Sequence, residues 1–318
     1  MTRIVALAGG VGGAKMAQGL LHAYDDVDLT VVVNTADDFE LFGLRISPDL
    51  DTVMYTLGGI ANPVTGWGIA NDTRGTLDGI AAYGIDTWFL IGDRDFATDI
   101  LRTAWLREGQ TLAEVTRRLA NGLGIRATIV PMTNDPVATM VQTPSGELAF
   151  QDYFVRRQQQ DDVTGVRFAG IEHATATPEA LEAIEAAELI VFCPSNPIVS
   201  IGPLLALPDL RAAVEASPAP RVAVSPIIAG KALKGPADRM LASLGYEASA
   251  VGVAAILRAT IDGFVLDEQD AAAIPAVEAL GVPARALQTI MGDSSDRARL
   301  GREVIDFGLS LRAEAVPA

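Results

Sequence analysis

Eight short runs of apolar, largely β-branched residues recur along the chain: Ile4–Ala8, Leu29–Asn34, Trp88–Ile91, Ala127–Pro131, Leu189–Cys193, Arg221–Ser225, Gly263–Leu266 and Ala286–Ile290. Most are continuously apolar, without the alternation of a strand that has one wet face. A strand apolar on both sides must be covered on both sides, as in a parallel sheet held between two helical layers. Stretches with helical spacing lie between many of these runs, among them Ala14–Ala23, Thr177–Ala187, Lys234–Leu244 and Val251–Thr260. Strand and helix in this rhythm predict an α/β fold with a doubly wound, mostly parallel, Rossmann-like sheet.

Two excursions interrupt the rhythm. Residues 44–124 read as a mainly helical cap insertion. From Pro48 to Gly124 only Trp88–Ile91 has strand character, and Leu50–Leu57, Arg74–Tyr83, Ala97–Arg107 and Leu112–Leu123 have helical spacing. Open α/β sheets bind ligands at the carboxyl ends of their strands, and a cap there would close over the site. The second excursion, Met140–Phe154, alternates around Pro144-Ser145-Gly146 and predicts a small β-hairpin. The tail Ala313–Ala318 reads as frayed.

Charge narrows the partners. Lys and Arg total 24 against 40 Asp and Glu, a net charge of −16 in 318 residues. Such a surface repels nucleic acid and anionic membrane, but it still admits one small anionic ligand held by backbone N–H groups or a metal. A single cysteine, Cys193, excludes a disulfide framework and a cysteine-rich zinc site. The apolar start at Ile4 is too short for a signal peptide, and no apolar run approaches the ~18 residues of a membrane span. A cytoplasmic protein is expected.

Gly9-Gly10-Val11-Gly12-Gly13-Ala14-Lys15 follows the first strand and opens a helix. Glycine permits close backbone approach, and the helix amino end carries partial positive charge. Gly10, Gly12, Gly13 and Lys15 are therefore candidate phosphate contacts. Neither the Walker A nor the dinucleotide pattern fits, because Ala14, Lys15 and Met16 occupy their required positions. A plain tight turn with a solvated lysine is the alternative.

Acidic residues gather at two places. Asn34-Thr35-Ala36-Asp37-Asp38 ends the second strand, and Ser47-Pro48-Asp49-Leu50-Asp51-Thr52 opens the first cap helix. Carboxylates there can hold a hard divalent ion together with substrate phosphates. Asp49 and Asp51 stand two apart, so on a helix at most one of them is expected to point into the site. The competing reading is local: Ser47 as N-cap, Pro48 at the first turn, and acids complementing the dipole. Asn71, Asp93 and Arg94 lie in glycine-flanked loops where Asp72, Thr73 or Asp95 could simply cap helices. Ser195 and Asn196 follow a buried strand, on the binding edge of the sheet. Lys231 and Lys234 sit in a glycine-flanked loop and could hold an anion or form a solvated pair.

Together ALAGGVGGAK, VVVNTADD, ISPDLDTVMYTL, GIANDT, LIGDRDFATDILR, CPSNPIVSIGP and VSPIIAGKALKGPADRML resemble the CofD/FbiA family. Its members are 2-phospho-L-lactate or phosphoenolpyruvate transferases of coenzyme F420 biosynthesis. The resemblance implies a single CofD-like domain over residues 1–318. It implies a Mg²⁺-dependent reaction in which the ribityl hydroxyl of the deazaflavin Fo attacks the β-phosphorus of an enolpyruvyl- or lactyl-diphospho-guanosine and GMP leaves. Asp51 best matches the family aspartate near the deazaflavin, with Asp49 beside it; both are assigned to catalysis and metal. Gly10, Gly12, Gly13, Lys15, Asn34, Thr35, Asn71, Asp93, Arg94, Ser195, Asn196 and Lys231 become ligand-binding positions, and a homodimer is implied. Some archaeal members carry a lysine just before the GDRD segment; this chain has none, which leaves Arg94 as the substitute. The alanine- and arginine-rich composition is similar to that of the actinobacterial branch and favours the enolpyruvyl donor. The competing readings are a YvcK-like nucleotide-sugar-binding regulator and, by fold analogy, an NAD-dependent oxidoreductase.

Overall fold

In the computed structural model, which describes residues 1–314, seven parallel strands form the central sheet. They are β1 (Thr2–Ala8), β2 (Val27–Val33), β3 (Thr128–Pro131), β4 (Leu189–Phe192), β5 (Arg221–Val224), β6 (Gly263–Asp267) and β7 (Ala284–Leu287), in spatial order 7-6-5-4-1-2-3. All neighbours pair parallel. The strand order reverses at β1, so a crevice opens between the carboxyl ends of β1 and β4, the usual binding place of such sheets.

Burial on both faces explains the continuous apolar runs. Ile4, Ala6 and Ala8 of β1 pack into one core, and Val5 and Leu7 into the other. The first core joins α1 (Gly10–Leu21), α2 (Pro48–Leu57) and the C-terminal helix Ser294–Glu314; the second lies under helices such as Pro178–Ala186.

Four expectations are corrected here. Trp88–Ile91 is not a strand but irregular chain, and its apolar residues serve as a wall. The run near residue 286 forms a strand displaced toward the amino end, over Ala284–Leu287. The helix expected over Lys234–Leu244 begins only at Ala237, since Gly235-Pro236 breaks it. The first helix begins at Gly10 rather than Ala14, because the glycines that weaken helical propensity nevertheless form its first turn.

Residues 44–124 are mainly helical: α2, α3 (Gly75–Ala82), α4 (Asp93–Arg107) and α5 (Leu112–Gly122). Leu50, Val53 and Met54 of α2 and Leu112 and Ala120 of α5 belong to the main core. Ile46, Leu77, Ile91 and Phe96 form a small core of their own with Phe39 and Phe89 around a short antiparallel pair, Phe39–Leu41 with Leu44–Ile46. The expected hairpin is present as Ala138–Thr143 with Gly146–Ala149, extended by a third antiparallel strand, Gly165–Ala169. The frayed stretch expected from Ala313 onward falls largely outside the described residues.

Close backbone contact fixes the first helix against the last. A Cβ at Gly19 would lie 2.2 Å from the Arg297 carbonyl oxygen, and one at Gly301 would lie 2.3 Å from the Gly19 carbonyl oxygen. We predict that Gly301→Val lowers the unfolding free energy by about 1–3 kcal/mol through overpacking, read as a lower urea midpoint at unchanged m-value.

Candidate active site

At the carboxyl edge of the sheet, residues 9–12 after β1, Asp37 after β2, residues 194–196 after β4, residues 225–226 after β5 and residues 289–292 after β7 converge. They line one cavity of about 910 Å³, completed by α2, residues 88–91 and residues 150–155. That volume is in the range of small-molecule sites.

The amino end of α1 is wedged into its floor. A Cβ at Gly12 would meet the Pro194 carbonyl oxygen at 2.2 Å, and one at Gly9 would meet Asp49 Oδ2 at 2.6 Å. No other side chain fits this approach. Gly10 N–H donates to Asp49 Oδ1 at 2.8 Å, and Asn34 Nδ2 donates to Asp49 Oδ2 at 3.0 Å. Ser195 Oγ accepts from Gly9 N–H at 3.2 Å and donates to the Gly9 carbonyl at 2.8 Å, tying the β1 turn to the β4 turn. Lys15 reaches across the cavity edge to the Met291 carbonyl at 3.0 Å. Burial, with Arg297 and Lys234 nearby, lowers its pKa.

The opposite wall is acidic. Asp49 is pushed up to about 6 by burial, against the Asn34 and Gly10 hydrogen bonds. Asp37 is raised well above the ordinary range by burial and by the Asp49 carboxylate, and its Oδ1 is buried without a hydrogen-bond partner. Asp38 is raised to about 6 by burial, although Arg45 and the Ser47 hydroxyl oppose the shift.

Deeper, α2 and α4 face each other through charge. Arg102, 1% exposed, donates to Asp51 Oδ1 and, at 2.7 Å, to Asp99 Oδ1. Burial followed by the Asp51 charge lifts Asp99 to about 9 despite Arg102. Arg102 thus answers two buried acids at once, Asp51 and Asp99, and both are held above the ordinary carboxylate range by burial. Tyr55 donates its phenol proton to Asp95 Oδ1 at 2.5 Å. Burial, then Asp51, raises Asp95 to about 7. Asp51, Tyr55, Asp95 and Asp99 all border the cavity.

Its apolar side is aromatic. Trp88, Phe89, Phe150 and Phe154 line it; Trp88 and Phe89 meet edge to face at 5.5 Å, and Phe150 and Phe154 stack at 5.4 Å. Flat surfaces of this kind suit a planar ring system.

The profile of the family described as 2-phospho-L-lactate transferase CofD matches residues 4–306. The chain belongs to the CofD family. It is 42% identical over 317 residues to a phosphoenolpyruvate transferase of Streptomyces griseus, covering 98% of this chain and all of that protein. It is 40% identical over 302 residues to a 2-phospho-L-lactate transferase of Methanosarcina mazei, covering 95% of this chain and 99% of that one. A UPF0052-family protein from Bacillus halodurans shares the fold, with a TM-score of 0.64 at 14% identity over 96% of this chain and all of that one. As a member of the CofD family, this chain is a transferase.

Within this CofD-family fold, several sequence-predicted positions meet in the cavity: Gly10, Gly12, Lys15, Asp49, Asp51, Ser195 and Asn196. Asp49 and Asp51 both border it, although their spacing led us to expect at most one. Gly13 acts by close packing instead, since a Cβ there would meet Ser195 Oγ at 2.7 Å. Asn34 stands behind Asp49, and Thr35 is buried with an unpartnered hydroxyl off the cavity wall.

Four further expected positions, Asn71, Asp93, Arg94 and Lys231, also lie off the wall. Asp93 accepts from Gly75 N–H and Thr76 N–H and so caps α3, while Asp72 accepts from Arg94 N–H and Asp95 N–H and caps α4. Each helix is capped by an acid from the other loop, an arrangement that orders the whole GDRD segment. Arg94, the expected substitute for the absent lysine, donates to the Ala70 carbonyl from an exposed position off the cavity wall, and the aromatic residues Trp88 and Phe89 line the cavity beside that segment. Asn71 is an exposed left-handed turn residue. Lys231 is exposed on a short two-stranded ribbon, and the cavity cation of that loop is Lys234. Ser47 sits at the cap position of α2 but spends its hydroxyl on Asp38 at 2.7 Å.

Asp99, Arg102 and the aromatic wall were not singled out from the sequence, and Asp95 was named there only as a possible helix cap. The i, i+4 spacing of Asp95 and Asp99 on one helical face, with Arg102 three residues on, is the signal that could have found the charged set.

Two outcomes are expected. Arg102→Met should cost about 3–5 kcal/mol of stability by leaving the buried acids it bridges without their cation, whereas Asp99→Asn, a near isostere at a site where burial already disfavours the charged form, should cost far less; urea unfolding at pH 7 separates them. The raised carboxylates hold protons in the folded state that they lose in the unfolded state above pH 4. Their stabilising contribution is therefore complete below about pH 4 and is lost as pH rises through about 6 to 7. In divalent-free buffer, thermal melting should move to lower temperature between pH 5 and pH 7.5, most of all in wild type and less in Asp49→Asn.

Proposed function

We propose that the chain transfers a phosphoenolpyruvyl group, or its 2-phospho-L-lactyl counterpart, from a guanosine diphosphate conjugate to the ribityl hydroxyl of the deazaflavin Fo. The hydroxyl oxygen forms a bond to the β-phosphorus, the bond from that phosphorus to the bridging oxygen of GMP breaks, and GMP leaves. The observation that carries the reading is the partition of one cavity into a glycine-and-lysine end, an acidic wall and an aromatic side, in a chain whose relatives are named for this transfer. The Streptomyces relatives named phosphoenolpyruvate transferases, at 42–43% identity, favour the enolpyruvyl donor.

Each part of the cavity has a role in this reading. The amino end of α1 and Lys15 hold phosphate oxygens. The aromatic side takes the planar deazaflavin. Asp51, held in place by Arg102, orients the attacking hydroxyl and accepts its hydrogen bond. The in-line displacement then depends mainly on positioning and charge neutralisation.

Mg²⁺ fits the acidic wall. Among the described residues no three acidic or imidazole groups converge to hold an ion unaided. Asp37 and Asp49, however, both line the cavity, Asp37 Oδ1 is buried without a hydrogen-bond partner, and Mg²⁺ commonly needs only one or two carboxylates beside substrate phosphates. The expected pair was Asp49 with Asp51; Asp51 is committed to Arg102, so Asp37 is the better partner. When bound, the ion neutralises charge on the transferred group.

The decisive assay mixes the protein with Fo, enolpyruvyl-diphospho-guanosine and Mg²⁺ and measures GMP. Release should require all three, and it should be faster with the enolpyruvyl than with the lactyl donor. Asp51→Asn should lower kcat by about 10²- to 10⁴-fold with an unchanged far-ultraviolet spectrum. Asp49→Asn should abolish the rise in melting temperature that Mg²⁺ gives the wild type. Near-normal turnover by Asp51→Asn would remove its assigned role.

A further inference from the structure

The cavity has two electrical sides. Asp37, Asp49, Asp51, Asp95 and Asp99 lie along its wall, and its cations among the described residues are Lys15 and Lys234. In a chain with 16 more acids than bases, both lysines spend hydrogen bonds on backbone carbonyls rather than on carboxylates. An ammonium carries three N–H donors. Lys234 gives two of them to the carbonyls of Thr65 and Val64, the latter at 3.4 Å, which leaves one; Lys15 gives one to Met291 and keeps two.

The backbone around Lys234 is built to present it. Ala229 and Gly230, at φ of 49° and 76°, form the tight turn between the two strands of the short ribbon, and the chain then passes through Leu233 and Lys234 to enter a helix after Gly235 at 77°. An alanine in the left-handed region is strained by about 1–2 kcal/mol, and such strain persists where the fold requires a particular excursion. On the other side, a Cβ at Gly66 would lie 2.6 Å from Val11 Cγ1 and 3.4 Å from Lys234 Nζ, so the 62–68 loop, the glycine turn and Lys234 meet at one point. Leu233 and Trp67 border the cavity beside it while remaining 61% and 42% exposed.

We propose that Lys234 is a substrate-binding residue for the diphosphate group of the phosphoryl donor, acting with Lys15, and that through its carbonyl contacts it ties the 229–236 and 62–68 loops together over the bound donor. This rests on the reading of the donor as a diphosphate. The mobile anion would supply the missing countercharge of the lysine pair, and the acidic wall opposite would keep the anion from sliding across the cavity.

Calorimetric titration of the full chain with GDP, inorganic pyrophosphate and guanosine in the presence of Mg²⁺ tests it. Lys234→Gln should weaken GDP and pyrophosphate by roughly tenfold or more and leave guanosine within about twofold. Lys234→Arg should recover most of the loss, and Lys231→Gln, off the cavity wall, should cause none. GDP and pyrophosphate affinities within about twofold of wild type in Lys234→Gln would overturn the assignment. An equal loss for guanosine would do the same, because it would mark a collapsed loop rather than a missing charge. A wild-type protein that binds neither GDP nor pyrophosphate would instead overturn the reading of the donor itself.

Discussion

The site depends on how closely the backbone at residues 9–13 can approach its neighbours. Contacts of 2.2 to 2.7 Å at the positions of absent side chains let the amino end of α1 drop between α2 and the turn after β4. From that single approach follow the Gly10 N–H bond to Asp49, the paired Gly9–Ser195 hydrogen bonds and the floor of the cavity. A methyl group at Gly12 would collide with the Pro194 carbonyl and push the two halves of the sheet edge apart. The same approach turns the positive end of the helix toward the cavity.

Electrostatics in the cavity follow from burial more than from pairing. Several carboxylates are withdrawn from water along one wall with two arginines, Arg45 and Arg102, to answer them. Their pKa values rise accordingly, that of Asp99 most plainly, by burial and the Asp51 charge. A fold gains nothing in stability from such a concentration of like charge. It becomes useful where a cation, a proton or a polar ligand arrives, and perturbed acids in a cleft are characteristic of functional sites.

Much of this was legible from residue order. Continuous apolar runs predicted a sheet buried on both faces, and seven of the eight runs fall in it. The eighth, Trp88–Ile91, shows why the signal is incomplete. Burial against a small local core and a cavity selects the same residues as burial in a sheet, and periodicity over four residues cannot separate the two. The glycine turn, Asp49, Asp51 and the segment after β4 were likewise found, because each follows a strand or opens a helix at the edge where α/β sheets bind. Asp93 and Arg94 lie off the cavity wall for a related reason: acids beside glycine serve equally well as helix caps and as ligand contacts, and here Asp93 and Asp72 cap each other's helices.

The chain by itself therefore determined the layered architecture, the topological edge used for binding, the anion-tolerant turn and the family, since these rest on local pattern and contiguous motifs. Tertiary structure decided which charges meet. That Asp51 faces Arg102 fifty-one residues away, that Asp37 rather than Asp51 accompanies Asp49, and that Lys234 rather than Lys231 reaches the cavity depend on where α4 crosses α2 and on the left-handed residues that turn one loop inward. Such encounters are set by the packing of elements remote in sequence, and no spacing along the chain encodes them.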